Sequence, residues 1–240
     1  MSHLYFIGRT PENFFDYLSG IFDDIDEKSS INLAQFSMRG DGNAGLNAIS
    51  SQKTSALFEY FKSIKLDAAS IANAPRPVAL IDYVALGGTF RNLVNLLHLQ
   101  AKQDRVDWNA VQRRLILIGV RMRTKNSPNT WRWQQNQNWL GLIPDATIKN
   151  VSADPDFIHY LANHQPKVTF SFHMRRWGNS RQAYPKSLEQ AKALAFALAL
   201  YDHGRSKSER QAFAARLSQH TQMKYPNVRK LVTCLKRTNG

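Results

Sequence analysis

Pro77-Val78-Ala79-Leu80-Ile81-Asp82-Tyr83-Val84-Ala85-Leu86-Gly87-Gly88-Thr89-Phe90-Arg91 decides how this 240-residue chain folds. Val78 to Ile81 is a short, wholly apolar run, as in a parallel strand buried on both faces. Gly87 and Gly88 then break the chain, and Phe90 to Ala101 reads as a helix. A strand that ends in a glycine pair and opens a helix suits an anion. Glycine has no Cβ to hold a ligand off, and the first amides of a helix have no partner within it. Thr89 is placed to cap that helix and to offer its hydroxyl to a phosphate. Asp82, at the strand end, offers a carboxylate to ribose hydroxyls. Ligands of open parallel sheets lie beyond the carboxyl ends of the strands.

The flanking sequence repeats the pattern. Ser2 to Ile7 is a short mixed segment. Pro11 to Phe22 has apolar residues at helical spacing, with Pro11 suited to a first turn. Ile31 to Phe36 reads as a strand, closed by the turn formers Gly40-Asp41-Gly42-Asn43. Gln52 to Ile64 is an amphipathic helix, and Leu115 to Val120 is a second buried apolar strand. Strands alternating with helices predict an α/β fold, a parallel sheet flanked by helices. Arg121 to Asn138 is polar and reads as a long loop. Ala146 to Val151 is expected as a strand and Pro155 to Ala162 as a helix. Val168 to Met174 alternates with period two and is expected as a half-buried strand.

The rest is helical. Ser187 to Tyr201 is rich in Ala and Leu, with Ser187 as N-cap, Gln190 as its capping-box partner and Gly204 as the stop. A second helix starts from Ser206 or Ser208 and runs to about His220, and a third covers Tyr225 to Lys236. The expected division is a sheet domain over 1–180 and a basic helical C-terminal region over 181–240.

Hydrophobic residues make up 43% of the chain, enough to build a core and to exclude wholesale disorder. One cysteine, Cys234, excludes a disulfide framework and a thiolate metal cluster within the chain. The longest apolar run, Ala193 to Tyr201, is too short to cross a bilayer, and the start lacks the features of a secretory signal. A cytoplasmic protein with no membrane partner is expected. The net charge of +14 is uneven: −2 over residues 1–100, +4 over 101–165 and +12 over 166–240. Charge gathered in the last third reads as a contact with a polyanion, and nucleic acid is the expected partner.

Pro77 to Arg91 resembles the ribose-phosphate motif of type I phosphoribosyltransferases. That family has four hydrophobic strand residues, two acidic residues, about four loop residues and a Gly-Gly-Thr that opens a helix. Asp82 and Gly87-Gly88-Thr89 match without a gap. Ser37-Met38-Arg39-Gly40, after the strand at Ile31, resembles the family's pyrophosphate loop. The resemblance covers about residues 30–120. It implies a phosphoribosyltransferase-like sheet and a site of Arg39, Gly40, Asp82, Gly87, Gly88 and Thr89. It also implies Asp82 as the catalytic residue, Mg²⁺ as cofactor, and phosphoribosyl pyrophosphate or a nucleotide as ligand. Ile81 replaces the first acidic residue, Ala85 stands where many members place a catalytic acid, and Leu86 where Thr is common. The distance from Arg39 to Asp82 leaves little room for the family's mobile hairpin. The matching alternative is a degenerate member without catalysis. Phosphoribosyltransferase-like proteins occur beside retron reverse transcriptases in phage defence, which would suit a nucleic-acid-binding regulator or effector subunit.

Two clusters interleave aromatics with arginine, Trp131-Arg132-Trp133 and Arg175-Arg176-Trp177, a pairing that suits an unstacked base and its phosphate. Arg205, Lys207, Arg210, Arg229 and Lys230 on the C-terminal helices are candidates for phosphate contact. His159 and His164, five apart, are not expected to share a helix face, and no metal site is expected.

Overall fold

The computed structural model describes residues 3–25, 30–38, 49–123, 141–178 and 187–237. Five parallel strands form the sheet: β1 (His3–Ile7), β2 (Ile31–Ala34), β3 (Val78–Tyr83), β4 (Leu115–Met122) and β5 (Ile148–Ala153). Their order is β2-β1-β3-β4-β5. The helices are α1 (Glu12–Ile21), α2 (Ser51–Ser63), α3 (Ala68–Ala72), α4 (Gly88–Gln103), α5 (Trp108–Arg114) and α6 (Pro155–His159). The C-terminal ones are α7 (Leu188–Arg205), α8 (Lys207–Ser218) and α9 (Pro226–Arg237).

The mixed segment at the start is a central strand. Tyr5, Phe6 and Ile7 are buried, and β1 pairs with β2 on one side and β3 on the other. Its polar side chains find partners. His3 Nδ1 meets Ser30 Oγ at 2.8 Å, and the Tyr5 hydroxyl donates to the Ile64 carbonyl at 2.8 Å. The stretch 168–174 is not a strand. Ser37 N donates to Phe172 O at 3.1 Å, while Phe172 and Met174 pack on the main core. The segment is a strap over the core, anchored by Phe172 and Met174, and its polar Thr169 is more buried than Val168 or Phe170.

One face of the sheet carries the larger core. Tyr5, Ile7, Leu80 and Leu117 pack there with Leu57 and Phe61 of α2 and Phe90, Leu93 and Leu97 of α4. The opposite face turns Phe6 toward Phe15 of α1, ring centroids 6.4 Å apart. Two short helices that carry weak periodicity in sequence, α3 and α5, are held by Asp67 and Asp107. Their side chains accept from Ser70 N and Asn109 N as N-caps.

A second core joins the C-terminal helices to α1. Ile21 packs with Ala214 of α8 and with Leu231, Val232 and Leu235 of α9. Ser187 caps α7 by accepting from Gln190 N, and Ser206 caps α8 by accepting from Glu209 N. Gly204 does not stop α7. It lies inside the helix, buried, where a methyl group would fall on the carbonyl oxygen of Tyr17. Gly20 of α1 is its counterpart and faces the Tyr201 carbonyl. The two glycines let the backbones of α1 and α7 touch. No helix among the described residues is long and apolar enough to cross a membrane.

Candidate functional site

The sheet reverses its winding between β1 and β3, because β1 is followed by β2 on one side and β3 lies on the other. Loops from the two strands leave in opposite directions there and open a crevice. A cavity of about 460 Å³ occupies it, a size suited to a small organic ligand. Gly8, Arg9 and Thr10 follow β1 into the wall, Ser37 and Met38 follow β2, and Asp82 to Phe90 follow β3. Lys167 and Ser171 of the strap complete the lining.

Each wall is fixed by backbone chemistry. Gly87 caps α4 with φ at +77°, a left-handed conformation that glycine adopts without strain. Gly87 has no side chain to cap this helix with, and Thr89 lies in its first turn rather than at its cap. The positive end of the α4 dipole lies at the wall that Gly87, Gly88 and Thr89 give the cavity, and Asp82 lines the same space. Gly8 turns the chain after β1 with φ at +75°, and a methyl there would stand 2.9 Å from the Phe36 carbonyl oxygen. Asn92 Nδ2 donates to Met38 O at 3.1 Å and ties the loop after β2 to α4. Asp82 sits at the inner end of the cavity, 6% exposed and in register with Gly119. Leu86 projects at the rim, 72% exposed.

Two cations converge on this space. Arg9 leaves the turn after β1. Lys167 Nζ donates to Ala162 O at 2.8 Å, which holds its ammonium beside the cavity. Neither residue stood out in the sequence reading. Its available signal was Gly8-Arg9-Thr10 directly after the apolar Leu4 to Ile7, a strand closed by a glycine turn.

Of the residues expected at a ribose-phosphate site, Asp82, Gly87, Gly88 and Thr89 line the same cavity. Arg39 and Gly40 lie outside the described residues, as do Trp131, Arg132 and Trp133. The cation the structure places after the strand adjoining β3 is Arg9. The second arginine–aromatic cluster separates. Trp177 is a core residue, 3% exposed, stacked on Phe36, with its indole N–H donating to Phe172 O at 3.1 Å. It is thus not available to stack on a base. Arg176 lies over the Phe170 ring, and Arg175 is exposed.

Among the C-terminal cations, Lys207, Arg229 and Lys230 are exposed. Arg205 pairs with Asp23 at 3.0 Å and with Asp24 at 3.8 Å. Arg210 is no surface cation at all. It is 1% exposed, and its guanidinium donates to the Gly20 and Asp23 carbonyls at 3.0 and 2.6 Å. It closes the C-terminal end of α1, where carbonyls lack helical partners.

His159 and His164 do meet, against the five-residue argument. The chain after α6 winds as a π-turn over Tyr160–His164, with Gln165 N donating to Tyr160 O, and brings the rings to 5.0 Å. No group of three or more metal-ligating side chains accompanies them or any other pair among the described residues.

Fold and site together define an open, all-parallel α/β protein with helices on both faces and a cationic cavity at its switch point. No protein-family model, curated protein or solved structure matches the chain.

Proposed function

We propose that the cavity binds a ribose-5-phosphate group, as carried by phosphoribosyl pyrophosphate or a nucleotide, in the manner of a phosphoribosyltransferase-like protein. The observation that carries the reading is the glycine-turned N-terminus of α4 at the cavity, with Gly87-Gly88-Thr89 lining it together with Arg9 and Lys167. The amides and cations would take the phosphate, and Asp82 the ribose hydroxyls. One carboxylate suits Mg²⁺, which is commonly held by one or two carboxylates together with substrate phosphates. Bound there through Asp82, the ion would neutralise charge on a leaving pyrophosphate. Arg39 and Gly40 are proposed as further phosphate contacts.

Calorimetric titration with ribose 5-phosphate and with phosphoribosyl pyrophosphate, each with and without Mg²⁺, tests the reading. Wild-type protein is expected to bind both, with Mg²⁺ strengthening the pyrophosphate compound. Asp82→Asn is expected to lose the Mg²⁺ effect and any turnover. Absence of binding to either compound would remove the reading.

A second reading, a nucleic-acid-binding regulator or effector subunit, rests on the exposed Arg175, Lys207, Arg229 and Lys230 in the most basic third of the chain. Trp131, Arg132, Trp133, Arg176 and Arg205 are proposed to contribute. Charge reversal at Arg175, Arg176 and Arg229 is expected to flatten the salt dependence of oligonucleotide binding by about one logarithmic unit per lost phosphate contact. Asp82→Asn is expected to leave that dependence unchanged. An identical slope in the charge-reversed protein would remove this reading.

A further inference from the structure

Glu12 and Asp16 stand one turn apart on α1 and share a face. Glu12 is 2% exposed, and its Oε1 accepts from Thr169 N at 2.9 Å. Its Oε2 and the Oδ2 of Asp16 are buried with no hydrogen-bond partner among the described residues. Gln165 Oε1 and Arg9 Nε are in the same condition nearby. The side chain of Gln165 belongs to this corner, since its Nε2 donates to Thr10 O at 2.7 Å and to Leu161 O at 2.6 Å. Orphaned polar atoms gather where the turn after β1, the start of α1 and the strap meet. Buried polar groups are otherwise nearly always satisfied, so each such group asks for an explanation.

Two cations act on Glu12, Arg9 from the turn and Lys167 beside the strap, and Glu12 in turn acts on Asp16. Both cations also line the cavity. Phe157 of α6 packs on Phe14, ring centroids 5.8 Å apart, so α6 brings Asp156 and His159 to this side of α1. At the far end of α1 His203, Arg205, Glu209 and Arg210 meet Tyr17, Gly20, Asp23 and Asp24. The strands β1 and β2 add only His3. Burial, with the Glu12 carboxylate beside it, pushes Asp16 up to about 7. Burial also raises Glu12, against the Thr169 amide and the charges of Arg9 and Lys167. Near neutral pH the pair is therefore poised to gain or lose one proton, and the titration belongs to both groups.

We infer that an anion in the cavity draws the Arg9 and Lys167 charges away from Glu12 and that the Glu12–Asp16 pair takes up a proton in response. Anion binding and protonation then become one coupled event, and affinity falls as pH rises. The inference rests on the cavity being an anion site, as proposed above. Linkage also fixes a sign for the fold. A carboxyl group with a raised folded-state value favours folding below its unfolded value, and that contribution is lost as pH rises through about 7.

Sulfate is the probe, because it stays a dianion across the range and brings no titration of its own. Wild-type affinity for sulfate is expected to fall about tenfold between about pH 6 and 8.5, the change produced by one pKa unit on ligand binding. Asp16→Asn is expected to hold that change within about twofold, which also removes the contribution of histidines from the comparison. Calorimetry of wild-type protein near pH 7, in buffers of different ionisation enthalpy, is expected to show net proton uptake and needs no variant. Gly88→Asp, which places a negative charge at the cavity, is expected to abolish the titration and so assign it to this site. Equal pH profiles in wild-type protein and Asp16→Asn, or no proton exchanged, would overturn the inference while leaving the anion site standing. No binding of sulfate or ribose 5-phosphate at any pH would overturn both.

Discussion

Gly204→Ala is expected to lower the melting temperature by about 4–8 °C. Intrinsic propensity gives the opposite sign, since alanine in a helix interior is better than glycine by about 1 kcal/mol. The tertiary contact outweighs it. A methyl group at 204 falls on the Tyr17 carbonyl oxygen, a backbone atom that cannot swing aside as a side chain would. The two helices must separate along the whole α1–α7 contact. Overpacking of this kind costs about 1–3 kcal/mol, and a backbone clash belongs at the upper end. For a chain of this size each kcal/mol moves the transition by about 2–4 °C. Differential scanning calorimetry of Gly204→Ala beside Gly141→Ala measures it, because a methyl at 141 meets nothing within 4 Å. A shift no larger than that of the control would mean that α7 does not rest on α1 through these glycines.

Gly88→Asp is expected to remove ribose 5-phosphate binding at least about a hundredfold while leaving the fold as stable or slightly more so. A Cβ at 88 meets no atom within 4 Å, so the new side chain enters open space at the cavity wall. An acidic residue in the first turn interacts favourably with the helix dipole, by about 0.3–1 kcal/mol. The same charge stands where a phosphate would lie, and two like charges about 4 Å apart near a protein surface repel by about 4 kcal/mol. A hundredfold loss needs only about 3 kcal/mol of that. Stability and binding move in opposite directions, which separates a ligand site from a turn. Paired thermal denaturation and calorimetric titration of this variant give both numbers. A folded variant that binds within about threefold of wild type would reduce Gly87-Gly88-Thr89 to a strand-to-helix turn.

Much of the sheet was legible because its strands are apolar runs and its helices carry spacing and caps. β3, β4, α2 and α4 follow from Val78 to Ile81, Leu115 to Val120, Leu57 with Phe61, and the break at Gly87. β1 was not, since His3 and Tyr5 look like surface residues until Ser30 and Ile64 are seen to satisfy them. The strap at 168–174 misled in the other direction. Its alternation does not even match burial, since Thr169 is buried and Val168 and Phe170 are half-buried, while Phe172 and Met174 pack on the core without any strand partner. Asp82, Gly87, Gly88 and Thr89 fall within one short stretch and could be read as one motif. Arg9 and Lys167 lie far from them in sequence and carry no local signal.

The sequence by itself determined the alternation of strand and helix, the glycine turn after β3 and the concentration of positive charge in the last third, because each is written in neighbouring residues. Tertiary structure decided what those features face. It brought Arg9 and Lys167 to the cavity that Gly87 lines, withdrew Arg210 and Trp177 into cores, and wound His159 onto His164. It also turned Gly204 from a helix stop into a helix contact. Burial and the sign of a glycine's effect depend on atoms brought from distant parts of the chain, and local pattern does not encode them.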